Sequence, residues 1–413
     1  VWRWHFYAGV LVAPVLVVVA VTGGLYVFKA ELERLLYPSV LTVPPGPVRV
    51  PLETQVAAAK ASVPDGYRAG SVGVWPDPTM PTEVFFQAKD RPFKLVYVDP
   101  YTGAVTGELA GDGLFRTVLK LHRTLFLGPT GRVVVELTTG WTVVLLVTGL
   151  YLWWPRKRTA AGVLYPRLRA KPYAVLRDLH AVAGFYLLPV SATVALTGLL
   201  YTQVWGGGYF LAAERTGASA GRTPPKSVSP SEARPLPLDA AFAAARSHYP
   251  DAGSLSLSLP SRPDAALVVF AGGATGPINQ GVLALDRSTG EVLANTPEHD
   301  QPAMRRWTGW NYSLHVGSVL GLPTKVLWLV ACGVLTALPL TGLWMWWARR
   351  PAGRTGFPRR PDVRVPRRVL GAAALLGVLL PLVGASMLAV LAGEWVVARV
   401  RRRRATPRIP VPA

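Results

Sequence analysis

The sequence predicts a polytopic α-helical membrane protein with internal duplication: four spans, a fifth membrane segment and two small α+β extramembrane domains. Three observations predict it. Long apolar runs recur along the chain, short arginine-rich loops follow two of them, and the residue pattern of the first half returns in the second.

The apolar runs cover residues 6–28, 133–154, 181–205 and 326–347. Each exceeds the roughly 20 residues that cross about 30 Å of hydrocarbon. Only 16% of the chain is charged and 50% is hydrophobic, whereas a soluble protein carries about 25% charged residues. A fifth run within 369–398 has Pro381 and Gly384 at its middle and Glu394 near its end, so it either spans with a kink or is partly re-entrant. The first run is longer than the roughly 7–15 residues of a signal-peptide core and lacks a small-x-small cleavage pattern, so residues 1–30 read as a retained span.

The formal net charge is +21, but it is not spread as a nucleic-acid surface. Arg156, Lys157, Arg158, Arg167, Arg169 and Lys171 fill the loop 156–172. Arg349, Arg350, Arg354, Arg359, Arg360, Arg364, Arg367 and Arg368 fill the loop 349–368. Short basic loops stay in the cytoplasm and long near-neutral segments are translocated. The amino end and both basic loops are therefore expected inside, and residues 45–112 and 237–300 outside. The tail 399–413, with Arg401–Arg404, conflicts with a fifth simple span, which would carry it outside. Cys332 stands alone in an apolar run, so it excludes intramolecular disulfides.

The duplication emerges when His5 is placed over His180. Ala8-Gly9 then falls on Ala183-Gly184, Pro14 on Pro189, Thr22-Gly23 on Thr197-Gly198 and Tyr26 on Tyr201, at one constant offset. With His122 over His315, Gly128 falls on Gly321, Gly140 on Gly333, Thr148-Gly149-Leu150 on Thr341-Gly342-Leu343 and Trp153-Trp154 on Trp346-Trp347. The long segments repeat too. Pro51-Leu52-Glu53 and Pro237-Leu238-Asp239 each open an alanine-rich helix, and alternating apolar runs follow, each set ending in a turn, Asp99–Gly103 or Asp286–Gly290. Each domain is expected to be a helix on its own small antiparallel sheet. Segments 113–155 and 301–348 join a domain to a span, 173–205 is the third span, and the Gly-, Ser- and Pro-rich 206–236 is a linker.

The opening Trp4-His5-Phe6-Tyr7-Ala8-Gly9, the Asp-x-x-Thr-Gly turns and the span ends Gly-Leu-Tyr-Leu-Trp-Trp-Pro (149–155) and Gly-Leu-Trp-Met-Trp-Trp (342–347) resemble the PepSY-associated transmembrane family. That family includes iron-regulated inner-membrane proteins and ferric-siderophore reductases, and the likeness covers residues 1 to about 350. It implies PepSY-like outer domains, a bacterial inner-membrane location and, for the reductase type, non-covalent b-type haem held by membrane histidines.

Four of the six histidines form the repeated pairs. Ionisable residues at membrane spans are costly and are functional candidates by default. By the expected topology, His5 and His180 share the inner side, and His122 and His315 the outer. Neutral imidazole is an axial ligand of haem iron, so one haem on His5 and His180 and another on His122 and His315 is the economical arrangement. The ordinary alternative is four interfacial histidines making helix contacts. His248 and His299 are unrepeated and read as surface residues. Trp153, Trp154, Trp346 and Trp347 read as an interfacial belt, while Trp307, Trp310 and Tyr312 either belong to such a belt or line an acceptor site next to His315.

No Walker motif or dinucleotide fingerprint occurs, and loops of roughly 20 residues are too short for a flavin or nicotinamide domain. The expected function is diheme electron transfer from a quinol or a separate donor protein to a ferric chelate or siderophore outside. The rival readings are a non-catalytic module binding a partner and a transporter that uses its repeat to alternate access.

Overall fold

A computed structural model describes the chain except residues 111–112, 156–158, 219–224, 231, 261, 263, 274–275, 277–279, 359–364 and 406–413. Arg156, Lys157, Arg158, Arg359, Arg360 and Arg364 of the basic loops thus lie outside the described residues. The first half reads α1 (Trp2–Val27), α2 (Lys29–Leu36), α3 (Pro38–Leu41), α4 (Leu52–Ser62), β1 (Arg68–Val74), β2 (Thr82–Ala88), β3 (Arg91–Val98), β4 (Val105–Ala110), α5 (Leu114–Thr124) and α6 (Gly128–Trp153). The chain continues with α7 (Pro172–Tyr186), α8 (Leu188–Gly198), α9 (Trp205–Arg215), α10 (Leu238–His248), β5 (Ala252–Ser258), β6 (Leu267–Gly273), β7 (Gly281–Leu285) and β8 (Val292–Pro297). It closes with α11 (Ala303–Val316), α12 (Leu322–Arg349), α13 (Arg367–Leu379) and α14 (Pro381–Ala405). Four helices are long and apolar enough to cross a membrane, and the bent pair α7–α8 brings the number to five. The chain divides into two compact units, residues 1–20, 123–209 and 333–413, and residues 21–122 and 210–332.

The first unit is helical. Its core joins Ala8, Val12 and Leu16 of α1 to Trp141 and Val144 of α6, with Leu199, Leu380 and Val383. Trp4 stacks on Trp141 at 6.0 Å. The third span, expected as one helix over 173–205, instead bends by 63° between α7 and α8. Pro189 opens α8 and contributes to the bend: it has no N–H for the carbonyl one turn back, and its ring crowds that carbonyl. Where α8 ends, Arg132 donates to the Tyr201 and Thr202 carbonyls at 3.3 and 3.2 Å. One turn along α6, both carboxylate oxygens of Glu136 accept the Val204 and Trp205 N–H groups at 2.7 and 3.0 Å. Side chains of α6 thus satisfy backbone groups left open where α8 ends, as an apolar setting demands.

The fifth segment is not one kinked helix. A Cβ on Gly377 would lie 3.1 Å from the Gly384 Cα, whereas seven residues of straight helix advance about 10 Å. The chain therefore doubles back at Leu380, whose φ and ψ are −124° and 81°. α14 then returns to the amino end of α1, where Arg3 pairs with Glu394 at 2.8 Å. Phe6 also meets Trp346 and Phe357 there. The start of α1, the described part of the loop after α12 and the end of α14 all lie at this end.

The second unit holds one eight-stranded antiparallel sheet, ordered β4-β3-β2-β1-β5-β6-β7-β8. Two separate small sheets were expected. Instead the two meanders join through β1 and β5, with Val72 opposite Leu257 and Val74 opposite Leu255. Pairing these strands covers two backbone edges that would otherwise be bare. α4 covers one half, with Ala59 among Val84, Phe86, Val96 and Val98. α10 covers the other, with Ala241, Phe242 and Ala245 among Leu255, Leu257, Val269, Leu283 and Leu285. The two helices cap each other reciprocally. Asp239 of α10 accepts the Leu52 N–H at 3.0 Å, and Glu53 of α4 accepts the Leu238 N–H at 2.6 Å. Both acids thus sit where the partner helix leaves N–H groups open.

The repeated turns also find their reason here. Asp99 accepts the Tyr101 N–H at 2.8 Å, and Asp286 accepts those of Ser288 and Thr289 at 2.9 Å each. Gly103 and Gly290 close the turns at φ of +74° and +75°, open to glycine without strain. Asp286 holds more than its turn. Its other oxygen accepts from Ser227 Oγ and from the Val228 and Ser229 N–H groups. Part of the expected linker 206–236 is therefore a strap docked on the second meander, and another part forms α9.

Burial pushes the Asp286 carboxyl up, but hydrogen bonds from Ser227, Ser229, Thr289 and Ser288 outweigh it and hold the group well below the usual carboxylate range. A depressed native pKa contributes stability that is complete above the unfolded value of about 3.9 and is lost as pH falls through the native one. Asp286→Asn should therefore release the strap at neutral pH, raising hydrogen exchange at the Val228 and Ser229 amides by at least about tenfold. Wild-type protein should keep both amides protected down to pH 4. Unchanged protection in the variant would show that the strap is held by something else.

Candidate functional site

Three of the four repeated histidines, His5, His180 and His122, meet threonines on neighbouring helices. In the first unit His5 Nδ1 meets Thr148 Oγ1 of α6 at 2.8 Å, and His180 Nδ1 meets Thr341 Oγ1 of α12 at 2.8 Å. Each threonine hydroxyl donates to a carbonyl one turn back, Thr148 to Val144 at 2.7 Å and Thr341 to Ala337 at 2.8 Å. With the hydroxyl proton so engaged, the oxygen accepts from imidazole. Nδ1 therefore carries the proton and Nε2 keeps the lone pair, the state that binds a metal. Glycine follows each threonine. A Cβ on Gly149 would lie 3.4 Å from His5 Cε1, and one on Gly342 3.8 Å from His180 Cε1.

The second unit repeats the device. His122 Nδ1 lies 3.1 Å from Thr22 Oγ1, and Gly23 leaves room for the ring, since a Cβ there would be 3.1 Å from His122 Cε1. The His122 and His315 ring centres are 6.3 Å apart, with ring planes at 55°. Two imidazoles bound through nitrogen to one metal at about 2 Å, with each ring centre about 1.1 Å further out, stand roughly 6 Å apart. His315 is held by its own helix end: α11 stops at Gly317 in the left-handed region, and Trp328 Nε1 donates to the Leu314 carbonyl at 2.7 Å.

Three further residues named from sequence lie on α11, in different settings. Trp307 is 44% exposed and shares a helical face with Asn311 and His315, at successive four-residue steps. Trp310 donates to Glu298 at 3.3 Å. Tyr312 is 51% exposed. Asn311 was not singled out from sequence. It is only 2% exposed, yet its Oδ1 has no hydrogen-bond partner among the described residues. No period or motif marks it, because the aligned residue of the first half is Val118.

His248 and His299 are surface residues, as expected, with His299 beside Asp300 at 3.5 Å. Among the described residues no three His, Cys, Asp or Glu side chains converge as a metal cage. The tryptophan pairs are only half a belt. Trp154 and Trp347 are exposed, but Trp153 and Trp346 donate to the Val163 and Thr355 carbonyls at 3.0 Å each and hold the following loops. The buried Asp178 likewise anchors the first basic loop through Arg167 at 2.7 Å.

Apolar spanning helices, a large antiparallel sheet and histidines placed on helices define a multi-pass membrane protein. The family model described as the PepSY-associated TM region matches residues 2–349, and the chain belongs to that family. No curated relative matches the chain.

A buried carboxylate in a span is a functional candidate by default, but Glu136 has both oxygens engaged as a cap. Glu136→Ala should lower stability by about 1–2 kcal/mol and raise hydrogen exchange at the Val204 and Trp205 amides. An unchanged melting temperature with both amides still protected would contradict this structural role.

Proposed function

We propose that this protein is a diheme b-type electron-transfer protein of the bacterial inner membrane, its amino end cytoplasmic, that reduces ferric siderophores or other ferric chelates on the periplasmic side. His5 and His180 would hold one haem, and His122 and His315 the other. The observation that carries the reading is the 6.3 Å separation of the His122 and His315 rings, close to that of two axial imidazoles. The threonine contacts support it, because they orient the imidazoles of His5 and His180 with Nε2 as the ligand atom, and such orienting partners matter nearly as much as ligands do. The recurrence of one contact at aligned positions also supports descent from a duplicated unit. Asn311 fits as well: a buried amide on the His315 face would gain the partner it lacks from a polar edge of a bound group.

When bound, haem supplies a one-electron Fe(III)/Fe(II) couple whose potential follows from axial ligands and burial. The chain's part is to hold each imidazole in one tautomer, shield it within apolar helices and present the half-exposed Trp307 two turns from His315 along α11. Reduction of a ferric chelate to Fe(II) weakens its hold by hard oxygen donors, which frees the iron for import.

Purified protein should show a Soret band and a sharp α-band on reduction. His5→Ala and His180→Ala should each remove the same spectral component, and His122→Ala and His315→Ala the other. Thr148→Val and Thr341→Val should broaden the first component without abolishing it. In proteoliposomes loaded with reductant, His315→Ala should abolish Fe(II) formation outside. Wild-type spectra in all four histidine variants would overturn the ligand assignment, and undiminished external Fe(II) in His315→Ala would overturn the acceptor site.

A further inference from the structure

The first unit has an apolar groove of about 590 Å³ lined by Val175 and Leu176 of α7, Leu340 and Trp344 of α12, and Leu168 and Ala170 of the loop before α7. We propose that an anionic phospholipid binds here, with an acyl chain in the groove and its phosphate among Arg169, Lys171 and Arg349. The site is independent of the electron-transfer reading.

Apolar and cationic parts follow each other as they do in such a lipid. Arg349 donates to the Tyr173 hydroxyl at 3.2 Å and stands 5.2 Å from the centre of its ring, so the end of α12 lies beside the start of α7. Trp344 precedes Arg349 by five residues, about 7.5 Å of helix, so the groove lies within the apolar span and the guanidinium at its end. Arg169 falls between the lining residues Leu168 and Ala170, and Lys171 comes next. Leu168, Leu340 and Trp344 are exposed. The groove is thus open along its side, as an acyl chain entering from the bilayer needs and an enclosed small-molecule site does not.

Charge selects the headgroup. Among the described residues neither Arg169 nor Lys171 has an ion-pair or hydrogen-bond partner for its side chain. The described acids of this unit are Glu136, Asp178 and Glu394, and all three are engaged: Glu136 by the Val204 and Trp205 N–H groups, Asp178 by Arg167 and Arg177, and Glu394 by Arg3. No carboxylate is left for the cations around the groove. The N-terminus of α7 adds positive potential at the same place. A zwitterionic headgroup brings a cation of its own, which these charges repel. A headgroup with net negative charge gains from each Lys or Arg near the surface.

The test uses purified full-length protein in phosphatidylcholine nanodiscs that carry a trace of phosphatidylglycerol or phosphatidylcholine with a diazirine on the acyl chain. Photolysis should place adducts on peptides covering 168–176 and 340–344, at least about tenfold more from phosphatidylglycerol. Arg169→Gln combined with Lys171→Gln should bring its labelling down to the phosphatidylcholine level. Both side chains are exposed, so the fold should survive, and an unchanged melting temperature checks this. Val175→Trp, which fills the groove, should lower labelling by both lipids, and Leu340→Phe should do so if the first variant fails to fold. Equal labelling by the two lipids, or a preference that persists in the double variant, would overturn the proposal. So would a preference abolished by inorganic phosphate but not by chloride of equal ionic strength, since the cations would then be a site for free phosphate.

Discussion

The structure of the helical unit depends on the cost of placing an imidazole among apolar helices. A neutral ring still has one N–H, and leaving it without a partner in a low-dielectric setting costs more than most packing contacts return. The threonine opposite solves this. Its own proton is already engaged with its helix, so the oxygen can only accept, and the histidine has one tautomer open to it. The glycine that follows lets the ring lie against the helix. Once His180 is held this way, α7 and α12 have a fixed register, and the Tyr173–Arg349 and Gly184–Leu338 contacts fall into place along the same antiparallel pair.

In the sheet-bearing unit the governing contact is the exchange of caps between α4 and α10. Because each helix supplies the acid that the other needs, neither half of the sheet is complete alone. The seam between β1 and β5 runs beneath them. Strands β4 and β8 end up at opposite edges of the sheet, yet the helices that follow them, α5 and α11, bring His122 and His315 to 6.3 Å. A sheet of two unconnected halves would not fix that distance. The separation of these two imidazoles is thus a property of a joined sheet and not of either domain.

The histidine pairs, the apolar runs and the repeated turns were legible because each rests on local pattern. Threonine and glycine at 148–149 and 341–342 were visible as marks of a repeat, but their task was not, since a hydroxyl becomes an orienting group only when a neighbouring helix brings a ring to it. The bend at Leu187 was harder still. Pro14 and Pro189 align, yet α1 is continuous and the α7–α8 pair is not, so the proline alone did not decide. The single sheet escaped for a different reason: alternation along β1 and β5 reports a face, and edge pairing is a matter of backbone. The fold-back at Leu380 was open in the sequence as one of two alternatives, and the contact of Gly377 with Gly384 decides it.

Polar groups inside the apolar parts of this protein fall into two kinds, and the difference is whether their partners are already present. Arg132 and Glu136 spend their charge on backbone groups freed at the end of α8. Asp178 spends its charge on Arg167 and Arg177. These groups complete the fold, which argues against giving them chemistry merely because they are charged. The imidazoles of His5 and His180 are oriented by threonines, and the Oδ1 of Asn311 is buried with no hydrogen-bond partner among the described residues. Satisfied charges point to architecture, and a buried polar atom still without a partner points to a ligand, which is why the histidine-bearing helices are where function is to be sought.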